Sequence, residues 1–280
     1  MNISFIVLTY NRCDALLAVL RSLATQCGAG HEVVIADDGS RQSQVDMLYQ
    51  NCPPFRCPVR HIWHPDTGFT AAAARNVAAQ HARGEYLVFL DGDCVPGKSF
   101  VMAHTLLAER GLFVNGSRVL LSERLTARVV DQSVDLLVQS SAFWWKARLS
   151  GDSNKLLHLL FWPWPLFRVK RSFKWRGIRS CNLGVWRSDF IAINGFDETF
   201  AGWGHEDADF VLRLSHLGIR RKNGFLATEV YHLWHHENQR DHAFVNQKRV
   251  LERMESGLVR AEKGLDTRRS DRLVEITPLG

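Results

Sequence analysis

The chain has no apolar run near the roughly eighteen residues that a membrane-spanning helix needs. Its most apolar late stretch, Leu156 to Phe167 (LLHLLFWPWPLF), is too short and is interrupted by two prolines, so it is not a span. A basic leader with a cleavage site is lacking too. Met1-Asn2-Ile3-Ser4 runs straight into FIVL, which sets a cytoplasmic location as the expectation. No loop carries the glycine fingerprint of dinucleotide binding, and no GKS or GKT phosphate loop occurs. Cysteine is sparse, with 6 scattered thiols, and only Cys52 and Cys57 have a spacing that suits zinc. No second pair or adjacent His-x-x-x-His completes four ligands, so small buried or surface thiols are expected rather than a zinc module.

What is present is an ordinary globular composition, 46% hydrophobic and 23% charged over 280 residues, enough for one large α/β unit with a C-terminal subdomain. The formal net charge of +6 calls for an anionic partner: nucleotide, phospholipid surface or nucleic acid.

Four apolar runs set the frame. Ile3 to Leu8 ends at Thr9-Tyr10-Asn11-Arg12, Glu32 to Ala36 at Asp37-Asp38-Gly39-Ser40, and Val59 to Trp63 at His64-Pro65-Asp66. The fourth, Tyr86 to Leu90, ends at Asp91-Gly92-Asp93. Leu16, Leu17, Leu20 and Leu23 recur at helical spacing after the first run, a short polar helix follows the second, and Ala71 to Ala82 is an alanine-rich helix before the fourth. This alternation predicts a mostly parallel sheet covered by helices, with ligands bound outside the carboxyl ends of the strands. Gly92 lets the backbone turn sharply, so the carboxylates of Asp91 and Asp93 can reach one hard cation or the ligand it carries. Arg75, in the helix before that strand, is a candidate phosphate partner.

In the second half, Leu125 to Leu137 reads as a helix, Ser180 to Trp186 as a strand and Arg187 to Ile193 as a short helix. Gly202-Trp203-Gly204-His205-Glu206-Asp207 then opens another helix. A carboxylate in that first turn, beside the platform of Trp203, has the setting a general base requires. Phe225 to Val230 reads as a strand leading to Tyr231-His232-Leu233-Trp234-His235-His236, where His232 and His235 fall on one side. Imidazoles with carboxylate oxygens suit Mn²⁺. Between these motifs, Arg168, Lys170, Arg171, Lys174, Arg176 and Arg179 interleave with Phe173 and Trp175. Such a mixture suits a surface at anionic lipid headgroups. It would also suit single-stranded nucleic acid, but the acidic strand ends are hostile to a polyanion. The tail carries an apolar helical stripe from Val250 to Leu265, and Arg268 to Gly280 has no pattern.

Together, FIVLTYNR, EVVIADDGS and AARNVAAQHARGEYLVFLDGD resemble the glycosyltransferase family 2 enzymes of the GT-A fold. The stretch NLGVWRSDFIAINGFDETFAGWGHEDADFVLRL with VYHLWHH is similar to the C-terminal domain of galactosyltransferases. The resemblance implies a Rossmann-like sheet with a C-terminal acceptor and catalytic subdomain. It divides the chain into a nucleotide-sugar-binding half (1–117), an aromatic and basic insert (118–178), a galactosyltransferase-like half (179–240) and a charged helical tail (241–280).

It further implies that Thr9 and Tyr10 wall the nucleobase pocket, that Asp38 bonds uracil, and that Arg75 reaches the base or diphosphate. Asp91 would hold the ribose or a metal-bound water, and Asp93 would ligate Mn²⁺ (or Mg²⁺). His235 matches the metal-binding histidine and His232 a weaker ligand, with His236 favoured instead by an ungapped count. Asp207 would be the general base, with Glu206 on sugar or acceptor hydroxyls.

The expected partners are a UDP-sugar, galactose or N-acetylgalactosamine favoured, a glycan or lipid-linked glycan acceptor and an anionic membrane surface, with no nucleic acid. The expected setting is bacterial lipopolysaccharide or capsule synthesis. Two other classes compete: a non-catalytic nucleotide-sugar or glycan-binding protein on the same fold, and a sugar nucleotidyltransferase, in which the GWGHED element would have no role.

Overall fold

The structure, a computed structural model, describes residues 1–164, 167–170, 173, 178, 180–200, 202, 204–236, 243–267 and 274–279. The four apolar runs form β1 (Ile3–Thr9), β2 (His31–Asp37), β3 (Val59–Trp63) and β4 (Tyr86–Asp91), joined in parallel in the order β3-β2-β1-β4. Their crossovers are α1 (Cys13–Gln26), α2 (Gln42–Asn51) and α3 (Ala71–His81). Side chains alternate across the sheet. Phe5, Val7, Val33, Ile35 and Val88 join α1 in one buried cluster, whereas Ile6, Val34, Leu87 and Phe89 join α3 in the other. Each large apolar side chain so enclosed contributes about 1.5–3 kcal/mol relative to exposure. The small side chains of Ala71, Ala72, Ala73 and Ala74 are all buried, so α3 lies close to the sheet.

The rest of the chain enlarges this frame. β5 (Cys94–Pro96), α4 (Phe100–Leu107), β6 (Leu112–Asn115), β7 (Ser117–Leu120), α5 (Glu123–Val130) and α6 (Ser141–Leu149) follow in sequence. Next come β8 (Asn182–Trp186), α7 (Arg187–Ala192), α8 (Glu206–His216), β9 (Arg220–Asn223), β10 (Glu229–His232), α9 (Ala243–Ser256) and β11 (Glu275–Leu279). The main sheet runs β11-β3-β2-β1-β4-β8-β6-β9, and a three-stranded sheet runs β5-β10-β7. β8 is antiparallel to both β4 and β6, so the GEYLVFLDGD strand and the NLGVW strand lie side by side.

Four expectations are corrected. The helix expected over Leu125 to Leu137 ends at Val130, because Gln132 takes a left-handed φ of 64° and the Val134 amide turns back to the Arg128 carbonyl. The strand expected from Phe225 begins only at Glu229, since Leu226 has φ 62° and the Ala227 and Thr228 amides close a turn on Gly224. The tail helix stops at Ser256, where Gly257 (φ 66°) ends it, so Leu258, Ala261 and Leu265 lie beyond the helix. Glu275–Leu279, within the stretch read as patternless, is a strand antiparallel to β3. Its position at the sheet edge accommodates Pro278, which has no amide to donate.

Candidate active site

β4 ends beside β1, with Asp91 in register with Leu8. The next amide, that of Gly92, donates to the Leu8 carbonyl at 2.7 Å, and a Cβ on Gly92 would lie 2.7 Å from that same oxygen. Only glycine lets the chain press against β1 here, and from this pivot the two flanking carboxylates meet different partners.

Asp91 meets Arg75. The buried guanidinium donates from Nη2 to Asp91 Oδ1 at 3.0 Å and from Nη1 to Glu206 Oε1 at 3.3 Å. Burial works against the charged form, but Asp91, Glu206 and Asp207 outweigh it and hold the Arg75 pKa above its ordinary value. One side chain of α3 thereby ties the end of β4 to the start of α8.

α8 starts at Glu206 after a tight turn in which Gly202, Gly204 and His205 all have positive φ, 71°, 108° and 71°. Asp207 Oδ1 accepts the Ala208 amide at 2.7 Å, and the carboxylate also takes the Ser180 amide. Desolvation, then the adjacent Glu206 charge, pushes the Asp207 carboxyl up to about 7. A carboxylate with that pKa can accept a proton near neutrality.

The turn is braced from behind. Buried Asn76, next to Arg75, donates to the Phe196 carbonyl and accepts the Phe196 amide, both at 2.8 Å. Arg213 donates to Asp209 at 2.7 Å and to the carbonyls of Ile193 and Gly195. Arg253 on α9 reaches Asp209 at 2.6 Å and Asp197 at 2.9 Å. The tail helix therefore fastens the turn that leads to Asp207. None of these three braces was singled out from sequence. Asn76 carried the clearest signal, an amide inside an alanine-rich helix.

Asp93 turns the other way, toward the small sheet. His235 Nε2 lies 3.2 Å and His232 Nε2 3.8 Å from Asp93 Oδ2, with the two imidazole centroids 5.2 Å apart. The carbonyl of His236 can only accept, so in the 2.7 Å contact His235 Nδ1 is the donor, and Nε2 is the ring nitrogen that faces Asp93. His236 stacks edge-on against Trp234 at 4.7 Å instead. His232 is positioned because β10 pairs with β5, His232 opposite Cys94. Asp93, Cys94 and His232 offer ligand atoms within 4.8 Å of one another. Burial and the neighbouring Cys181 thiol push the Cys94 thiol well up, so it is a neutral neighbour rather than a thiolate. One carboxylate and two imidazoles remain, a donor set that fits a borderline-hard divalent cation such as Mn²⁺.

The third cluster is at the ends of β1 and β2. Thr9 is buried and its carbonyl accepts the Asp38 amide at 3.0 Å. Tyr10 is half exposed, its hydroxyl donating to Asp66 at 2.9 Å. The Asp38 carboxylate accepts the Thr70 amide at 3.0 Å and lies 3.3 Å from His64 Nε2, so it also anchors the start of α3. Asp37 is occupied structurally, by the Ser40 amide at 2.7 Å and by His61 at 2.9 Å. Trp203, the expected platform, lies outside the described residues, as do Arg171, Lys174, Trp175, Arg176 and Arg179 of the basic stretch.

Comparison with known proteins bears on this arrangement. The family model described as glycosyl transferase family 2 matches residues 4–170, and one described as the N-terminal domain of galactosyltransferase matches 166–237. Validoxylamine A glucosyltransferase of Streptomyces hygroscopicus subsp. jinggangensis is 29% identical over 228 residues, covering 78% of this chain and 52% of that protein. Hyaluronan synthase of Pasteurella multocida is 25% identical, covering 78% of this chain and 23% of its own length. This chain thus spans about half or less of these relatives.

Among solved structures, S. aureus TarS in complex with UDP-GlcNAc superposes with a TM-score of 0.60 at 18% identity, covering 95% of this chain and 69% of that one. The mannosyltransferase PcManGT of Pyrobaculum calidifontis, in complex with GDP-Man and Mn²⁺, gives 0.53 at 16%, covering 94% and 65%. These likenesses show the GT-A fold. With the family model matching more than half of its residues, the chain belongs to glycosyl transferase family 2.

Proposed function

We propose that this protein is an inverting, metal-dependent glycosyltransferase that moves a sugar from a UDP-sugar to a glycan acceptor. The carrying observation is that Arg75 joins Asp91, two residues before Asp93, to Glu206, the neighbour of Asp207. Donor-holding and proton-accepting groups thereby belong to one site.

In this reading, Thr9, Tyr10 and Asp38 receive the nucleobase at the ends of β1 and β2, and Asp91 holds the ribose. Asp93 and His235, with His232 beside them, would hold Mn²⁺ or Mg²⁺, which when bound supplies positive charge to the departing diphosphate. Burial lowers the His232 pKa, which favours the neutral form a ligand needs. Asp207 takes the proton of the acceptor hydroxyl as that oxygen attacks the anomeric carbon from the face opposite the leaving group, and a single displacement inverts the centre. Glu206, oriented by Arg75, bonds sugar or acceptor hydroxyls and keeps the Asp207 pKa high. Residues 1–117 and 179–240 act as donor and acceptor halves around a shared sheet.

The donor sugar favoured is galactose or N-acetylgalactosamine, and the setting is lipopolysaccharide or capsule synthesis on a lipid-linked glycan at the inner face of a bacterial membrane. Among the described residues no helix is long and apolar enough to cross a membrane. Contact would instead be peripheral, through the exposed apolar side chains of Leu157, Leu160, Phe161, Trp162, Trp164 and Phe167. A thermal-shift panel of UDP-sugars with and without Mn²⁺ tests the reading, because a ligand that binds the folded chain raises its melting temperature. At least one UDP-sugar should stabilise only when Mn²⁺ is present. Indifference to every UDP-sugar in both conditions would remove the basis of the proposal.

A further inference from the structure

Beside the candidate active site lies a cavity of about 290 Å³ lined by Asn115, Arg118, Cys181, Arg221, Asn223 and Phe225, among others. Arg118 is on β7 and Arg221 on β9, so two strands from different sheets each contribute an arginine to the wall of one space. Neither has a carboxylate partner among the described residues. Arg221 Nε is buried with no hydrogen-bond partner, and the same holds for Asn115 Oδ1.

This sets them apart from four enclosed cations that have carboxylate partners, and from buried Arg168, which has none among the described residues but donates to the carbonyls of Trp164, Asn223 and Phe225. Arg75 pairs with Asp91 and Glu206, Arg213 with Asp209, Arg253 with Asp197 and Asp209, and Lys222, next in sequence to Arg221, with Glu109. Burial without a counter-ion depresses the Arg221 pKa, which marks a charge that gains from an anion. Nor does the adjoining chain supply one. Asn154 to Ser188 contains no Asp or Glu, and within it the Lys170 amide donates to the Arg221 carbonyl at 2.9 Å.

The cavity touches both functional arms of the site. Cys181 in its wall follows Ser180, whose backbone acts on the Asp207 carboxylate, and the Cys181 thiol neighbours that of Cys94, which donates to Asp93 at 3.4 Å. Arg118 is close enough to His232 for its charge to act on the imidazole. An anion seated here is therefore linked to the proposed base through Cys181 and Ser180.

We propose that this cavity is an acceptor subsite and that the acceptor carries an anionic group, a carboxylate or a phosphate, received by Arg118 and Arg221. The inference rests on the glycosyltransferase reading and narrows its acceptor class. Arginine suits the role because its planar fork pairs with either oxyanion in two parallel bonds.

The test uses the full chain and three small probes: methyl β-D-glucuronide, glycerol 3-phosphate and neutral methyl β-D-glucoside. Each is titrated by calorimetry with and without UDP and Mn²⁺. At least one anionic probe should bind about tenfold or more tightly than the glucoside, as expected of charge-assisted pairing. Which of the two wins identifies the anion as carboxylate or phosphate. The R118Q/R221Q variant should lose that preference, and R118K/R221K should keep part of it, with melting curves confirming that both are folded.

Equal binding of the glucoside overturns the proposal, as does anion binding that survives R118Q/R221Q. Displacement of the anionic probe by UDP also overturns it, since the cavity would then belong to the donor diphosphate. UDP binding without Mn²⁺ dependence, or no UDP binding at all, instead counts against the donor-site reading, and the probe titration alone still decides the cavity.

Discussion

Arg75 Nη1 lies 3.3 Å from Glu206 Oε1, although 131 positions of sequence separate the two residues. The same guanidinium reaches Asp91 at 3.0 Å and is buried, so its removal would leave two carboxylates facing each other without a cation. R75Q should lower stability by about 2–3 kcal/mol, read from denaturant unfolding, and reduce sugar transfer by about 100-fold or more. Loss of stability with unchanged transfer per folded molecule would confine Arg75 to a structural role.

The pH dependence follows from Asp207. With its carboxyl at about 7, kcat should fall about tenfold per unit as pH drops below that value, because the protonated acid cannot accept the acceptor's proton. E206Q removes the second-largest cause of the upward shift, so its acid limb should move to lower pH. A limb unmoved in E206Q would mean that another group sets the profile.

Stability carries the opposite sign. Between the ordinary 3.8 and about 7 the folded chain keeps the Asp207 proton that the unfolded chain releases. That contribution is complete below the lower value and is lost as pH rises through the upper one. D207N has no such proton to lose, so at pH 8 it should melt at least about 2 °C above the wild type, with the gap closing by pH 4. A melting temperature below the wild type at pH 8 would contradict the raised pKa.

At the Asp-Gly-Asp turn, G92A should be damaging although alanine is small. Its Cβ would sit 2.7 Å from the Leu8 carbonyl, so β4 must back away from β1, at a cost of about 1–3 kcal/mol. Displacing both aspartates together should weaken the Mn²⁺-dependent UDP thermal shift and the transfer rate in parallel. A variant with wild-type shift and rate would show that the pivot is not needed.

Much of this frame was legible in the sequence because β1 to β4 are apolar runs buried on both faces, and their polar ends, TYNR, DDGS and DGD, are abrupt. His232 and His235 stood out as imidazoles beyond an apolar segment, but only the pairing of β10 with β5 shows how they reach Asp93. The short strands β5, β7 and β9 span three or four residues and show no period, so the small sheet and the cavity between Arg118 and Arg221 could not be read. The roles of Arg213 and Arg253 were hidden for a different reason. A buried arginine and an exposed one look alike until the partner carboxylates, Asp197 and Asp209, are placed around them.

Trp162 and Trp164 are 58% and 61% exposed, beside Phe167 at 98%. If this apolar surface meets lipid, W162S/W164S should weaken binding to liposomes containing anionic phospholipid by about tenfold while leaving the UDP thermal shift intact. Undiminished liposome binding would end the membrane proposal without touching the chemistry.

The most direct measurement is UDP release by D207N, with a responsive UDP-sugar, Mn²⁺ and acceptor, alongside the Mn²⁺-dependent UDP thermal shift of the same variant. The account predicts a retained shift, because the donor is held by other residues, and a fall in acceptor-dependent release of about 10²–10⁴-fold, the span expected for a lost general base. Release at the wild-type rate would contradict the assignment of Asp207 as the group that takes the acceptor's proton.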